Sequence, residues 1–196
     1  MSKLLIFTAP SGAGKTTITR HLLGKFDFLA FSVSATTRAP REHEQEGVHY
    51  YFLSPEQFKE LIKEKAFVEW EEVYENQFYG TLKKEVTRLW KANKHILFDV
   101  DVKGAKKIKK VYGDQALAVF INPPSKEILI ERLEKRKTED EKSLKKRIKK
   151  ATKELKYVNK FDTILVNDVL DTALKEAEEI VLAFINKEEE IKHKPV

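Results

Sequence analysis

The 196-residue sequence predicts an α/β fold in which helices cover both faces of a parallel sheet. Short apolar runs alternate along the chain with amphipathic helical patterns, which is typical of such folds. The first apolar run leads directly into a glycine-containing loop and then a helix. A hydrophobic content of 41%, with 12 Phe, 6 Tyr and 2 Trp, is sufficient for a substantial core and argues against global disorder.

Each predicted strand and helix has a local signal. The predicted strands are apolar or alternating runs; in chain order they are residues 3–8, 28–34, 48–53, 67–73, 95–100, 116–122 and 163–166. The predicted helices repeat apolar residues at three- and four-residue spacing; they are residues 15–25, 55–65, 82–94, 103–112, 126–137, 142–158 and 170–186. Ser54 and Pro55 begin one helix as N-cap and first helical residue, and Gly113 closes another.

Two segments depart from the regular alternation. Residues 34–81 are richer in aromatic residues and have fewer long helices, which predicts an insertion with mixed or antiparallel strands. Residues 125–156 carry 13 Lys and Arg against 7 Asp and Glu, which accounts for the whole net charge of +6. A basic patch favours a polyanionic partner, either nucleic acid or a phosphorylated small molecule, and composition alone leaves both open. We expect residues 187–196 to be frayed.

The composition also excludes several classes of protein. Cysteine is absent from the sequence, which excludes disulfides, thiolate zinc sites, iron–sulfur clusters and a cysteine nucleophile. The apolar runs are shorter than the roughly 18 residues of a membrane span. The apolar stretch near the N-terminus is too short for a signal peptide. We therefore expect a soluble cytoplasmic protein with no membrane partner. The five histidines are scattered and predict no metal site.

The loop after the first strand carries a phosphate-binding motif. Its sequence, Ala9-Pro-Ser-Gly-Ala-Gly-Lys-Thr16, lies between a predicted strand and a predicted helix, as a Walker A loop does, although Ala9 replaces the usual first glycine. Backbone N–H groups and the helix N-terminus converge there on phosphate oxygens. Lys15 is expected to reach the β- and γ-phosphates of ATP, and the Thr16 hydroxyl to ligate Mg²⁺. The predicted ATP-binding residues of this region are Ser11, Gly12, Ala13, Gly14, Lys15, Thr16 and Thr17.

Further segments, taken together with this loop, resemble guanylate kinases. The stretch Ser34-Ala-Thr-Thr-Arg38-Ala-Pro-Arg41 matches the family signature S-x-T-T-R-x-P-R. Other matching segments follow in the family's order, at residues 47–52, 67–70, 79–81 and 99–101. The resemblance extends from about residue 3 to about residue 185.

The resemblance implies a fold and a reaction. Guanylate kinases have a P-loop core, an inserted mixed-β region that binds the nucleoside monophosphate, and a helical lid. Here the core would comprise residues 1–33, 83–124 and 157–196, the GMP-binding insertion residues 34–82, and the lid residues 125–156. The implied reaction is Mg²⁺-dependent transfer of the ATP γ-phosphoryl group to GMP or dGMP, with no nucleic-acid partner. The resemblance leaves the oligomeric state open.

The implied contacts to the GMP phosphate follow from its negative charge. Arg38 and Arg41 suit a phosphate because guanidinium groups bind its oxygens bidentately. Tyr50 and Tyr79, at positions that match the family's, can add neutral hydroxyl donors to the same oxygens.

Guanine presents the adjacent donors N1–H and N2–H₂, which a single carboxylate can accept. Glu69, between Val68 and Trp70 on a predicted strand, is the candidate carboxylate. Ser34 can hydrogen-bond guanine O6, and Thr81 can support the base edge. Asp101 matches a family residue near the base.

The remaining residues implied by the resemblance serve the transferring phosphoryl group, Mg²⁺ and the ATP adenine. Arg132, Arg136 and Arg147 match lid arginines of the family, and with Lys15 and Arg38 they form the predicted catalytic set. Asp99 ends a buried strand at the Walker B position, where an acid holds Mg²⁺ or its water shell; capping of the next helix is the alternative. Asn167 matches a residue near the ATP adenine.

Some residues depart from the family pattern, and other functions stay open. Lys103 and Lys137 replace a common Gln and Gly, and the loop of residues 74–78 is one residue longer than usual before Tyr79. The alternatives are a non-catalytic guanylate-kinase-like interaction module, another P-loop phosphotransferase, and a nucleic-acid binder that uses the basic segment. The retained Lys15, Arg38, Arg41 and Glu69 argue against the first alternative. The signature of residues 34–41, together with Glu69, argues against the second.

Overall fold

Two β-sheets, one parallel and one mixed, organise the chain. The computed structural model describes residues 2–135 and 141–192. The strands in these stretches are β1 Leu4–Thr8, β2 Leu29–Phe31, β3 Ser34–Thr36, β4 Tyr50–Phe52, β5 Phe67–Tyr74, β6 Gln77–Leu82, β7 His95–Asp99, β8 Ala116–Asn122 and β9 Thr163–Val166. The helices are α1 Lys15–Lys25, α2 Pro55–Lys63, α3 Lys83–Lys91, α4 Val102–Tyr112, α5 Lys126–Glu134, α6 Glu141–Leu155 and α7 Leu170–Lys192, with single 3₁₀ turns at Gly113–Gln115 and Val158–Lys160.

The larger sheet has the strand order β2-β7-β1-β8-β9, and all its neighbouring strands are parallel. Successive side chains of its central strand β1 point to opposite faces of the sheet, and all five are buried. Leu5 and Phe7 pack with α1, α5, α6 and α7, whereas Leu4 and Ile6 pack with α3 and α4. Helices therefore cover both faces, and the α/β fold predicted from the sequence is confirmed.

The second sheet is made by residues 34–82 and has the order β4-β3-β6-β5. β3 pairs in parallel with β4, and the other two pairings are antiparallel. Phe58 of α2 anchors its own small core, with ring centroids 4.3 Å from Phe67 and 5.3 Å from Phe78. The Ser54 side chain and the Gln57 side chain cap the start of α2 reciprocally. The predicted mixed-β character of this region is confirmed.

The structure corrects several predicted elements. The predicted strand 28–34 is split between β2 in the parallel sheet and β3 in the mixed sheet, because the chain leaves one sheet for the other at residues 32–33. The hairpin strand β6 was not predicted, since Gly80 interrupts its apolar pattern. The structure explains that glycine: a Cβ at Gly80 would lie 2.8 Å from the Glu69 carbonyl oxygen. Helix α7 also continues past the predicted end at residue 186.

Candidate active site

The loop between β1 and α1 has a backbone that only glycine adopts easily. Gly12 and Gly14 have φ angles of 92° and 95°, in the left-handed region. Gly14 is also the N-cap of α1, and among the described residues no side chain caps this helix. The first N–H groups of α1 therefore remain available to an anion, which the helix dipole also favours. This geometry agrees with the phosphate-binding motif in the sequence.

Asn167 supports this loop from behind. Its side chain is 5% exposed, and its Nδ2 atom donates a hydrogen bond of 2.7 Å to the Ala13 carbonyl oxygen. The fit is close, because a Cβ at Gly14 would lie 2.2 Å from Asn167 Nδ2. The residue expected near the adenine thus holds the phosphate loop against the end of β9.

Lys15 and Asp99 form an ion pair beside the loop. Parallel pairing of β1 with β7 places Phe7 opposite Asp99, so the carboxylate reaches the first residue of α1. Lys15 Nζ also donates to the Val100 carbonyl oxygen at 3.1 Å. Thr16 follows on the exposed side of α1. The carboxyl ends of two neighbouring strands therefore bring Lys15 and Asp99, two of the residues assigned to ATP and Mg²⁺, into direct contact.

A cavity of about 290 Å³ lies between the mixed sheet and the carboxyl ends of the parallel strands. Its lining comes from both sheets and from the chain after β7: Ser34, Tyr50, Glu69, Glu71, Val73, Tyr79, Asp99 and Asp101, together with Gly80, Val100 and Gly104. Lys150 of α6 also lines it. Most of the residues predicted to bind GMP therefore line one cavity. Because Asp99 is part of its wall, this cavity adjoins the Lys15 ion pair of the phosphate loop.

Glu69 is the buried carboxylate of this cavity. Its side chain is 7% exposed, and its Oε1 atom accepts a hydrogen bond of 2.8 Å from the Thr81 hydroxyl on the paired strand β6. Burial raises its pKa to about 7; the Thr81 hydrogen bond acts in the opposite direction, and the nearby Asp101 raises it further. Gly104 leaves room for the second oxygen, since a Cβ there would lie 3.1 Å from Glu69 Oε2.

Arg38 lies in a cluster with two tyrosines and an acid that was not among the predicted site residues. Its guanidinium donates to both oxygens of Glu44, at 2.9 and 2.8 Å, and lies 5.3 Å from the centre of the Tyr50 ring. The Tyr50 and Tyr79 rings meet edge to face at 6.1 Å. The hydrogen bond from Arg38 lowers the pKa of Glu44 to about 2, so the pair stays charged at neutral pH.

Comparison with known proteins agrees with this geometry. The family model for guanylate kinase matches residues 1–184. The chain belongs to the guanylate kinase family. It is 52% identical over 188 residues to a guanylate kinase of Porphyromonas gingivalis, which covers 95% of this chain and 100% of the relative.

Two further relatives extend the comparison. A guanylate kinase of Bacteroides thetaiotaomicron is 46% identical, covering 95% of this chain and 91% of the relative. A crystal structure of guanylate kinase from Anaplasma phagocytophilum superposes with a TM-score of 0.73 at 28% identity, covering 93% of this chain and 85% of that one. The predicted resemblance to guanylate kinases is therefore confirmed.

The remaining residues predicted from the guanylate kinase resemblance have varied surroundings. Arg41 is exposed, and its backbone N–H donates to Glu44 Oε2 at 2.8 Å. Asp101 lines the cavity and is also the N-cap of α4, where its carboxylate accepts from the N–H groups of Lys103 and Gly104 at 3.0 and 2.8 Å. Helix capping, considered for Asp99 in the sequence, is thus performed by Asp101.

The segment expected to be the guanylate kinase lid contacts the chain just after β9 through α5. Arg132 of α5 donates to the carbonyl oxygens of Asn167 and Asp168 at 3.0 and 3.4 Å. Arg147 lies half-buried on α6. Arg136, the third predicted lid arginine, lies outside the described residues.

Three acids at this site were not predicted from the sequence: Glu44, Glu71 and Glu154. Glu154 of α6 accepts a hydrogen bond from the backbone N–H of Ser11, and burial raises its pKa. Glu44 could have been found from its position three residues after Arg41, just beyond the signature. Glu154 has no such signal, because an acid in a strongly charged helix is usually solvated.

Within residues 2–135 and 141–192, no helix combines the length and apolar character that crossing a membrane requires. In the same part of the chain, His, Asp and Glu side chains form no cluster of three or more that could hold a metal ion.

Proposed function

We propose that this protein transfers the γ-phosphoryl group of ATP to GMP or dGMP, with Mg²⁺, giving ADP and GDP or dGDP. The observation that carries the proposal is the position of Glu69. A buried carboxylate lines a cavity that also reaches Asp99, the ion-pair partner of the phosphate-loop residue Lys15. An acceptor nucleotide in that cavity would therefore direct its phosphate toward the ATP site.

The chemistry of Glu69 favours guanine over the other bases. Its carboxylate can accept both N1–H and N2–H₂, and the Thr81 hydroxyl already fixes its orientation. Adenine would present a lone pair at N1 and a C–H at C2, so the carboxylate would lose its hydration and receive no hydrogen bond. Sites built around a polar partner reject analogues that lack it by about 10⁴-fold.

The reaction needs positioning and charge neutralisation rather than a general base. The acceptor oxygen of GMP is already anionic, so no proton has to be removed before attack on the γ-phosphorus. Arg38 and Arg41, with Tyr50 and Tyr79, would orient the acceptor phosphate. Lys15 and the lid arginines would neutralise charge on the transferring group.

The donor atoms beside the loop fit Mg²⁺. The metal prefers oxygen ligands, keeps most of its water, and needs only one or two protein groups when nucleotide phosphates complete its shell. The Thr16 hydroxyl and the Asp99 carboxylate would hold it, and Asp99 already reaches the loop through its ion pair with Lys15. When bound, the ion would neutralise charge on the β- and γ-phosphates of ATP.

A coupled assay of ADP release tests the proposal. With ATP and Mg²⁺, we expect rapid turnover with GMP and dGMP, and turnover at least about 10³-fold slower with AMP, CMP or UMP. Equal use of several bases would indicate a less selective phosphotransferase. Binding of GMP without turnover would indicate a non-catalytic member of the family.

A further inference from the structure

The mixed sheet joins the parallel core through two neighbouring chain crossings. The first is residues 32–33, between β2 and β3, and the second is the junction of β6 with α3 at residues 82–83. Any rotation of the mixed sheet against the core has to occur at these crossings, because they are its covalent connections. The residues that fix the relative position of the crossings therefore help to shape the cavity, together with the contacts of α4 with β5.

Glu85, in the first turn of α3, fixes both crossings to each other. It lies three residues after the start of the second crossing, and its Oε1 atom accepts from the Val33 backbone N–H of the first crossing at 3.3 Å. Its Oε2 atom accepts from the Tyr51 hydroxyl of β4 at 3.0 Å. One carboxylate thus connects α3, the first crossing and the edge strand β4 of the mixed sheet.

The charge of Glu85 is buried and fully paired. The residue is 1% exposed, and Arg88 donates to both of its oxygens, each at 2.8 Å. Burial acts to raise its pKa, but the hydrogen bonds from Arg88, Val33 and Tyr51 outweigh burial and hold the pKa below its ordinary value. Arg88 itself is 58% exposed, so solvent weakens the pair, and its main effect is to fix the orientation of the Glu85 carboxylate.

The groups bound to Glu85 are the direct chain neighbours of residues in the cavity. Val33 precedes Ser34, and Tyr51 follows Tyr50, so each contact is one residue away from a cavity side chain. Alternation along β4 directs Tyr51 away from the cavity while Tyr50 faces it. None of these contacts touches the phosphate loop, so Glu85 and its partners act on the cavity and not on the ATP site.

We propose that Glu85 is a positioning residue that sets the angle between the mixed sheet and the core, and thereby the affinity for the acceptor nucleotide. This inference rests on the proposed function for its nucleotide. Glu85 touches no cavity residue itself and acts through Val33 and Tyr51. The buried charge makes the position sensitive, because replacing an acceptor by a donor there leaves Arg88 and its partners mismatched.

Steady-state kinetics test the proposal with Glu85→Gln. We expect the KM for GMP to rise about tenfold, which corresponds to the loss of one charge-assisted hydrogen bond, while the KM for ATP stays within twofold. Glu60→Gln is the matched control, since Glu60 also pairs with a basic residue three positions on but is exposed on α2. Equal rises in both KM values, or lower thermal stability with an unchanged KM for GMP, would overturn the proposal.

Tyr51→Phe keeps the test valid if Glu85→Gln fails to fold. Losing the single hydroxyl should raise the KM for GMP about threefold and leave the KM for ATP unchanged. Where Glu85→Gln does fold, the two effects should be less than additive in the double variant, because both residues act through one contact. Full additivity, or an unchanged KM for GMP in Tyr51→Phe, would contradict the proposed role of Glu85.

Amide hydrogen exchange of the nucleotide-free protein gives a readout that does not depend on the reaction. In Glu85→Gln we expect about tenfold faster exchange at residues 31–36 and 79–85, and unchanged exchange at residues 9–17. Uniformly faster exchange would mean a general loss of stability and would overturn the proposal. A wild-type protein that does not phosphorylate GMP would refute the proposed function, while this exchange pattern would still test the hinge.

Discussion

The phosphate-loop region and the mixed sheet build their sites in different ways. The loop is a continuous stretch, residues 9–17, whose shape comes from two glycines and the start of one helix. The cavity on the mixed sheet is assembled from side chains far apart in sequence, such as Tyr50 and Tyr79. Main-chain groups dominate the first site, and side chains dominate the second.

The two regions also differ in how they hold charge. Lys15 and Asp99 are each about one-fifth exposed, so solvent moderates their pairing. Glu69 in the mixed sheet is 7% exposed and has a raised pKa, and Glu85 is 1% exposed. Changes in the loop should therefore affect chemistry with little effect on folding, whereas changes in the mixed sheet should affect both.

Lys15→Met should have the largest effect on activity. We expect turnover to fall by on the order of 10³ or more, since Lys15 would supply about 4 kcal/mol of charge stabilisation in the transition state. The thermal unfolding temperature should change little. Lys25→Met, at the exposed end of the same helix, is the control and should retain full activity. Near-normal turnover of a folded Lys15→Met protein would refute the assignment of the loop.

Glu69→Gln should have the next largest effect, and only toward the acceptor. A glutamine places an N–H against one guanine N–H, and loss of a charge-assisted hydrogen bond costs about 1.5–3 kcal/mol. The kcat/KM for GMP should therefore fall about tenfold to a hundredfold, with ATP binding unchanged in isothermal titration. Full activity of this variant would mean that guanine is recognised elsewhere, with Asp101 the first residue to examine.

The same substitution should stabilise the fold in a pH-dependent way. The pKa of Glu69 is about 7 in the folded protein and 4.5 ordinarily, so between these values the folded state binds more protons than the unfolded state. The free energy of unfolding therefore falls as pH rises from about 4.5 to 7, by on the order of 1–3 kcal/mol. Removing the carboxyl group with Glu69→Gln removes this loss.

Chemical denaturation at pH 5 and pH 8 measures this difference. The advantage of Glu69→Gln over the wild type should be larger at pH 8 than at pH 5. Exposed Glu60→Gln should show no such change between the two pH values. An equal gain in stability at both pH values would show that burial does not raise the pKa of Glu69.

Asn167→Ala should have the smallest effect on activity of the three variants, and the effect should concern ATP binding. The Ala13 carbonyl would lose its buried hydrogen-bond donor, at a cost of about 1–3 kcal/mol. Part of this cost would appear as a looser phosphate loop, so the KM for ATP should rise about tenfold while the KM for GMP stays nearly constant. Asn186→Ala, on an exposed position of α7, is the control. A larger effect on GMP would contradict the separation of the two regions.

The sequence by itself determined the phosphate loop and most of the core elements. α1, β8 and β9 have their predicted bounds, because glycine punctuation, capping residues and continuous apolar runs act over a few neighbouring residues. The resemblance also identified six of the residues that line the cavity: Ser34, Tyr50, Glu69, Tyr79, Asp99 and Asp101. These signals are local or follow a motif, so they can be read before the chain is folded.

Only the tertiary structure decided how the buried charges are paired. The division of residues 28–36 between two sheets depends on which partner strand each half meets, and no local pattern encodes that choice. The raised pKa of Glu69, the bidentate contact of Glu44 with Arg38, and the contacts of Glu85 likewise depend on groups brought together by folding. Burial and hydrogen bonding are properties of the packed molecule, so an acid in the sequence acquires its role from the neighbours that the fold provides.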